Sequence, residues 1–92
     1  MEKNIEEIIM ERITGPGWVA TRGVVRDPRA PSSSEIEEAE QAMKSLAERG
    51  LVTLWRLILE QDGSQMMAAS RPDMQLDKEL EERGAWAKAE PY

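Results

Sequence analysis

Apolar residues recur at helical spacing over residues 4–13, "NIEEIIMERI", where Ile5, Ile8, Ile9 and Ile13 share one side of a helical wheel. Glu6, Glu7, Glu11 and Arg12 fall elsewhere around it. Asn4, with Glu7 three positions on, reads as an N-cap and its reciprocal acidic partner, so a first helix is predicted here. "TGPG" stops it, because Gly15, Pro16 and Gly17 continue a helix only at a cost. Residues 18–27, "WVATRGVVRD", are ambiguous. Their β-branched content suits a strand, but Val19, Val24 and Val25 also fit the inner side of a short helix, and a short helix is expected here.

Two prolines and a serine run mark "PRAPSSS" as a loop. A capping box follows, either Ser34 with Glu37 or Ser32 with Glu35. The next helix runs to about Arg49 with Ile36, Ala39, Met43, Leu46 and Ala47 as its inner stripe, and Gly50 ends it. Leu51 to Gln61 has strand content, Asp62-Gly63 is a two-residue hairpin turn, and Ser64 to Ser70 is the return strand. That turn sets Leu59 opposite Met66, Leu57 opposite Ala68 and Trp55 opposite Ser70 on the core side. The other side carries Ile58 opposite Met67 as ordinary surface or an oligomer contact. Asp73 is expected to cap a last helix, "MQLDKELEER", with Met74, Leu76, Leu80 and Trp86 as contacts and Gly84 as its end. The tail at about 85–92 is expected to fray.

The pattern predicts one small α+β domain spanning residues 1–92, mostly helical. The chain has neither histidine nor cysteine, so disulfides, thiolate nucleophiles, imidazole bases and the usual zinc ligands are excluded. A metal site would have to be carboxylate-only; neither a metal nor a cofactor is expected. The longest apolar run, "LVTLWRLIL", is interrupted by Arg56 and too short to cross a bilayer. The opening residues carry acids among their apolar positions, unlike a signal peptide, so a cytoplasmic protein without a membrane role is expected.

Charge bears on partners. Eighteen acidic against twelve basic residues give a formal net charge of −6, which opposes non-specific attraction to nucleic acid. Catalysis is not expected either, since paired carboxylates such as Glu37 and Glu38 diverge on a helix and no phosphate-binding loop accompanies them.

The order helix, short helix, helix, hairpin, helix resembles the winged helix-turn-helix superfamily of small bacterial and phage regulators. The likeness lies in "EIEEAEQAMKSLAERGLV" followed by a ribbon turning at "EQDGSQ", and it covers about residues 4 to 83. It implies three helices, a two-stranded wing and a C-terminal helix. It also implies double-stranded DNA as partner, with the third helix in the major groove. By position, Ser33, Ser34, Glu37, Glu38, Gln41 and Lys44 would face bases. Arg22, Arg26 and Arg29 offer a phosphate-contacting edge, although they equally suit pairing with the helix's own acids. Glu35, Glu37, Glu38 and Glu40 depart from the family pattern. As first-turn acids they favour the helix dipole and solubilise its face. The alternative is a winged-helix module that binds a protein through this acidic helix. The resemblance further suggests a homodimer through the first and last helices, using Ile9, Leu80 and Trp86.

Overall fold

The computed structural model describes residues 4–24, 32–84 and 86–92. The first helix, α1 (Ile5–Thr14), starts as expected: the Asn4 side chain accepts from the Glu7 amide at 2.8 Å. Ile9 and Ile13, one turn apart, are its buried residues.

The chain then forms a strand where the sequence pattern predicts a short helix. Trp18–Ala20 is β1, and only a three-residue 3-10 turn, Thr21–Gly23, follows it. The reason is non-local. A later strand lies alongside and takes these backbone groups, aligning Trp18, Val19 and Ala20 with Ser70, Ala69 and Ala68. In that extended form Val19 is buried on one face of the sheet, while Trp18 and Ala20 pack on the other. Val24 is buried as well; Val25 lies outside the described residues.

Helix α2 (Ser33–Glu48) is capped by Ser32, whose hydroxyl oxygen accepts from the Glu35 amide at 3.2 Å. The Ser32–Glu35 box therefore operates, and Ser34 sits inside the first turn. Ala39, Met43 and Leu46 turn inward at helical spacing. At the other end Gly50 takes φ 74°, with the Leu51 amide donating to the Leu46 carbonyl and the Gly50 amide to that of Ala47, both at 3.0 Å. This pair of bonds is a Schellman motif, and it turns the chain directly into the next strand.

Strands β2 (Thr53–Leu59) and β3 (Gln65–Ser70) form the predicted hairpin in a different register. Trp55 faces Ala68, Leu57 faces Met66 and Ile58 faces Gln65. The connection has four residues, Glu60 to Gly63, rather than two. The Leu59 amide donates to the Ser64 carbonyl at 2.9 Å, and the Asp62 carboxylate accepts from the Ser64 amide at 2.9 Å and its hydroxyl at 2.7 Å. That Asx-type capture of Ser64 favours the wider turn. Because the partner shifts by two residues, each side chain keeps its expected face.

The sheet's other side, expected to be surface or an oligomer contact around Ile58 and Met67, is covered within the chain. Met67 and Ala69 are buried there beneath α1 and α2, with Leu54 packed against them. The sheet therefore has a core on each face. Trp55, Leu57 and Ala68 form the opposite cluster with Leu76 and Leu80 of α3 (Leu76–Glu82). Helix α3 begins later than expected, with Gln75 rather than Asp73 at its N-cap and no side-chain cap bond.

The expected frayed tail is a strand. Ala87–Pro91 is β4, paired antiparallel to β2 with Ala87 opposite Leu59 and Ala89 opposite Leu57. Alternation explains it: Ala87 and Ala89 are buried while Lys88 and Glu90 are exposed. The described residues thus form an α+β fold of three α-helices and a four-stranded antiparallel sheet in the order β1-β3-β2-β4, larger in sheet than the mostly helical expectation.

Candidate docking surface on the acidic helix

Packing of Ala39, Met43 and Leu46 inward fixes what α2 presents outward. Ser33, Ser34, Glu37, Glu38 and Gln41 are exposed, and Lys44 is half-buried. The first half of the helix therefore presents two serines, two carboxylates and an amide on its open surface. Glu37 and Glu38 meet no cation among the described residues. With the start of α1, this half of α2 borders an open cleft of about 990 Å³. Ile5, Ile8, Val24 and Ala42 supply its apolar lining, and Glu6, Glu35, Glu37 and Glu38 its charge. Among its described lining residues none is basic.

The predicted nucleic-acid residues are only partly brought together. Ser33, Ser34, Gln41 and Lys44 share α2, Arg22 is exposed on the 3-10 turn that packs against α2, and Arg26 and Arg29 lie outside the described residues. Arg22 influences the hairpin tip. The Asp62 carboxyl is held below its ordinary value of 3.8, chiefly by the Ser64 hydroxyl and then by the Ser64 amide, with the Arg22 charge adding a smaller pull.

The other cations of the described residues are dispersed. Arg49 bridges to Glu6 at 2.9 Å, tying the end of α2 to α1, and Arg83 bridges to Glu79 at 2.9 Å within one helix. Arg56 lies over the Tyr92 ring, 5.8 Å from its centroid. Among the described residues, the hairpin tip carries Glu60 and Asp62 and the outer face of α2 carries Glu37 and Glu38, and neither presents a cluster of positive charge to a polyanion.

No family model matches the chain, and neither curated proteins nor solved structures give a match.

Of the residues expected at a dimer interface, two are occupied elsewhere. Ile9 is 0% and Leu80 4% exposed, each inside the protomer's own core, so neither presents a surface to a second copy. Trp86 is 66% exposed and stands just before β4. β4 carries the alternating "AKAE" that is its signal in the sequence. Among the described residues no helix is long and apolar enough to cross a membrane, and no cluster of three or more acidic side chains is arranged to hold a metal.

Proposed function

We propose that this protein is a cytoplasmic, winged-helix-like interaction module that captures a basic segment of a protein partner on the exposed acidic face of α2. The scaffold reading is supported by the succession of α1, β1, α2 and the β2–β3 hairpin, and by the strand order β1-β3-β2 within the sheet. The observation that carries the functional reading is the combination at the first half of α2. Glu37 and Glu38, which meet no cation among the described residues, stand beside a cleft with Ile5, Ile8 and Ala42 in its lining. A partner segment that alternates Lys or Arg with apolar residues satisfies both features, since the apolar anchors supply affinity and the charges supply steering and register.

The acids suit such a partner and oppose a duplex for the same electrostatic reason. Several carboxylates against phosphate cannot release counterions, which is the main source of non-specific DNA affinity. A second reading, a DNA-binding regulator, is favoured by the exposed Ser33, Ser34 and Gln41 on α2 and by exposed Arg22.

The test uses a synthetic Lys/Leu amphipathic peptide, with calorimetry as readout. Wild-type protein should bind it, and the double variant Glu37→Lys, Glu38→Lys should lose that binding while keeping its circular dichroism spectrum, because both side chains are exposed. Undiminished binding by the double variant removes this reading, as does failure of the wild type to bind. Duplex binding that weakens on Arg22→Ala establishes the regulator reading instead.

A further inference from the structure

We propose that β4 is a self-complementary edge through which two copies of this chain pair, joining their sheets into one continuous eight-stranded sheet. The proposal is independent of what α2 binds. It begins with backbone direction. The Glu60 amide donates to the Trp86 carbonyl at 3.0 Å, and Ala87 stands opposite Leu59. In an antiparallel ladder this fixes the parity: Lys88 and Glu90 turn their backbone groups to β2, whereas Ala87, Ala89 and Pro91 turn theirs away from it. Among the described residues nothing accepts or donates to those outward groups of Ala87 and Ala89.

Only odd-numbered residues can bond across this edge, so two copies related by a twofold axis must set odd opposite odd. Three such registers overlap most of β4. Centred on Ala89, Lys88 lies opposite the partner's Glu90 and Trp86 opposite the partner's Tyr92. Slipping by two residues one way sets Lys88 against the partner's Lys88, and slipping the other way sets Glu90 against the partner's Glu90. Like charges directly opposite are destabilising and opposite charges favourable, so the sequence selects the Ala89-centred register.

That register also accounts for the two most exposed aromatic side chains, Trp86 at 66% and Tyr92 at 55%. Both sit at even positions with Lys88 and Glu90, on the same sheet face. They fall at non-hydrogen-bonded pairs, where opposed side chains approach most closely. The twofold gives each copy one aromatic pair at either end of a two-pair charge ladder. In the middle, each Ala89 amide donates to the partner's Ala89 carbonyl, and each Ala87 amide donates to the partner's Pro91 carbonyl.

Space beside the edge agrees. A groove of about 640 Å³ runs between α3 and β4, with Asp77, Leu80, Glu81, Ala87 and Ala89 in its lining. The incoming strand turns only alanine and proline side chains toward α3, so it places no bulk or charge there. Lys88 and Pro91 are also residue types that protect a lone edge from pairing. Glu90 already faces Arg56 across the β2–β4 ladder, and the Ala89-centred register adds the partner's Lys88 on its other side.

Sedimentation analysis of the full chain separates these readings. Wild-type protein should sediment at twice its 10.4 kDa chain mass. Ala89→Pro, which removes an outward amide and leaves the β2 ladder intact, should be monomeric. Lys88→Glu and Glu90→Lys should each be monomeric alone, and an equimolar mixture of the two should form a heterodimer, because each opposed pair regains opposite charges. The mixture makes the result independent of any loss of folding in a single variant. A monomeric wild type, or charge variants that dimerise alone as readily as the wild type, overturns the proposal.

Discussion

Replacing Ser70 with alanine should destabilise the protein by far more than the loss of one small hydroxyl suggests. Ser70 is fully buried at the point where β3 meets both neighbours, opposite Trp18 on one side and Thr53 on the other. Its hydroxyl accepts from the Trp55 indole N–H at 2.9 Å and donates to the Arg71 carbonyl at 3.0 Å. Alanine leaves the indole N–H, on a residue only 7% exposed, with no acceptor. Orphaning a buried donor costs about 1–3 kcal/mol, whereas the volume lost is too small to open a cavity. Each kcal/mol lowers Tm by about 4–8 °C in a domain of this size.

Thermal and urea unfolding, followed by circular dichroism, measure this loss. A second comparison isolates the bond. Trp55→Phe removes the donor, so adding Ser70→Ala to it should be much milder than Ser70→Ala alone, with a coupling of about 1 kcal/mol. A Ser70→Ala variant within about 0.5 kcal/mol of wild type, or strict additivity of the pair, would refute the reasoning.

Gly17→Ala should be more damaging than Gly50→Ala. Both glycines have positive φ, but a Cβ at Gly17 would lie 3.0 Å from the Met74 sulfur and 3.3 Å from Arg71 Nη2, whereas at Gly50 it meets open space. Gly50→Ala should cost about 1–2 kcal/mol from backbone conformation alone, with Gly17→Ala beyond it in urea unfolding. Leu76→Ala should cost about 2–5 kcal/mol, because Leu76 anchors α3 in the second core, while Trp86→Ala should change chain stability by less than about 0.5 kcal/mol at a protein concentration where the chain is monomeric. Equal effects would contradict the two-core description. The Asp62 carboxyl should titrate below 3.8 by NMR and return toward that value in Ser64→Ala. Its folded-state value is depressed, so its stabilising contribution is present above the unfolded value and disappears as pH falls through the folded one. Unchanged titration in Ser64→Ala would remove Ser64 as the cause.

Local signals located the elements whose causes are local. Asn4 with Glu7 and the inward stripe of α2 fall within a few residues of what they determine, so α1 and α2 were legible. β1 was not, because three residues of strand depend on β3, some fifty positions later. The Asp62-Gly63 pair located the hairpin but not its length. The Asp62 side chain captures Ser64 and widens the turn, a choice that dipeptide preference alone does not contain. β4 was missed because alanine, lysine and glutamate are poor strand formers. Its alternation succeeds only beside β2, where Ala87 and Ala89 find cover from α3. At the candidate surface, the exposure of Glu37, Glu38 and Gln41 was readable from the helical stripe. The cleft beside them required knowing that α1 packs against α2.

The most direct test of capture by the acidic helix is a pair of anisotropy titrations on the full chain, with a labelled Lys/Leu amphipathic peptide and with a labelled random duplex. Each is run at low salt and again near physiological salt. The predicted result is peptide binding that weakens as salt rises, with no duplex binding even at low salt. Salt-sensitive binding of the duplex without binding of the peptide would contradict it.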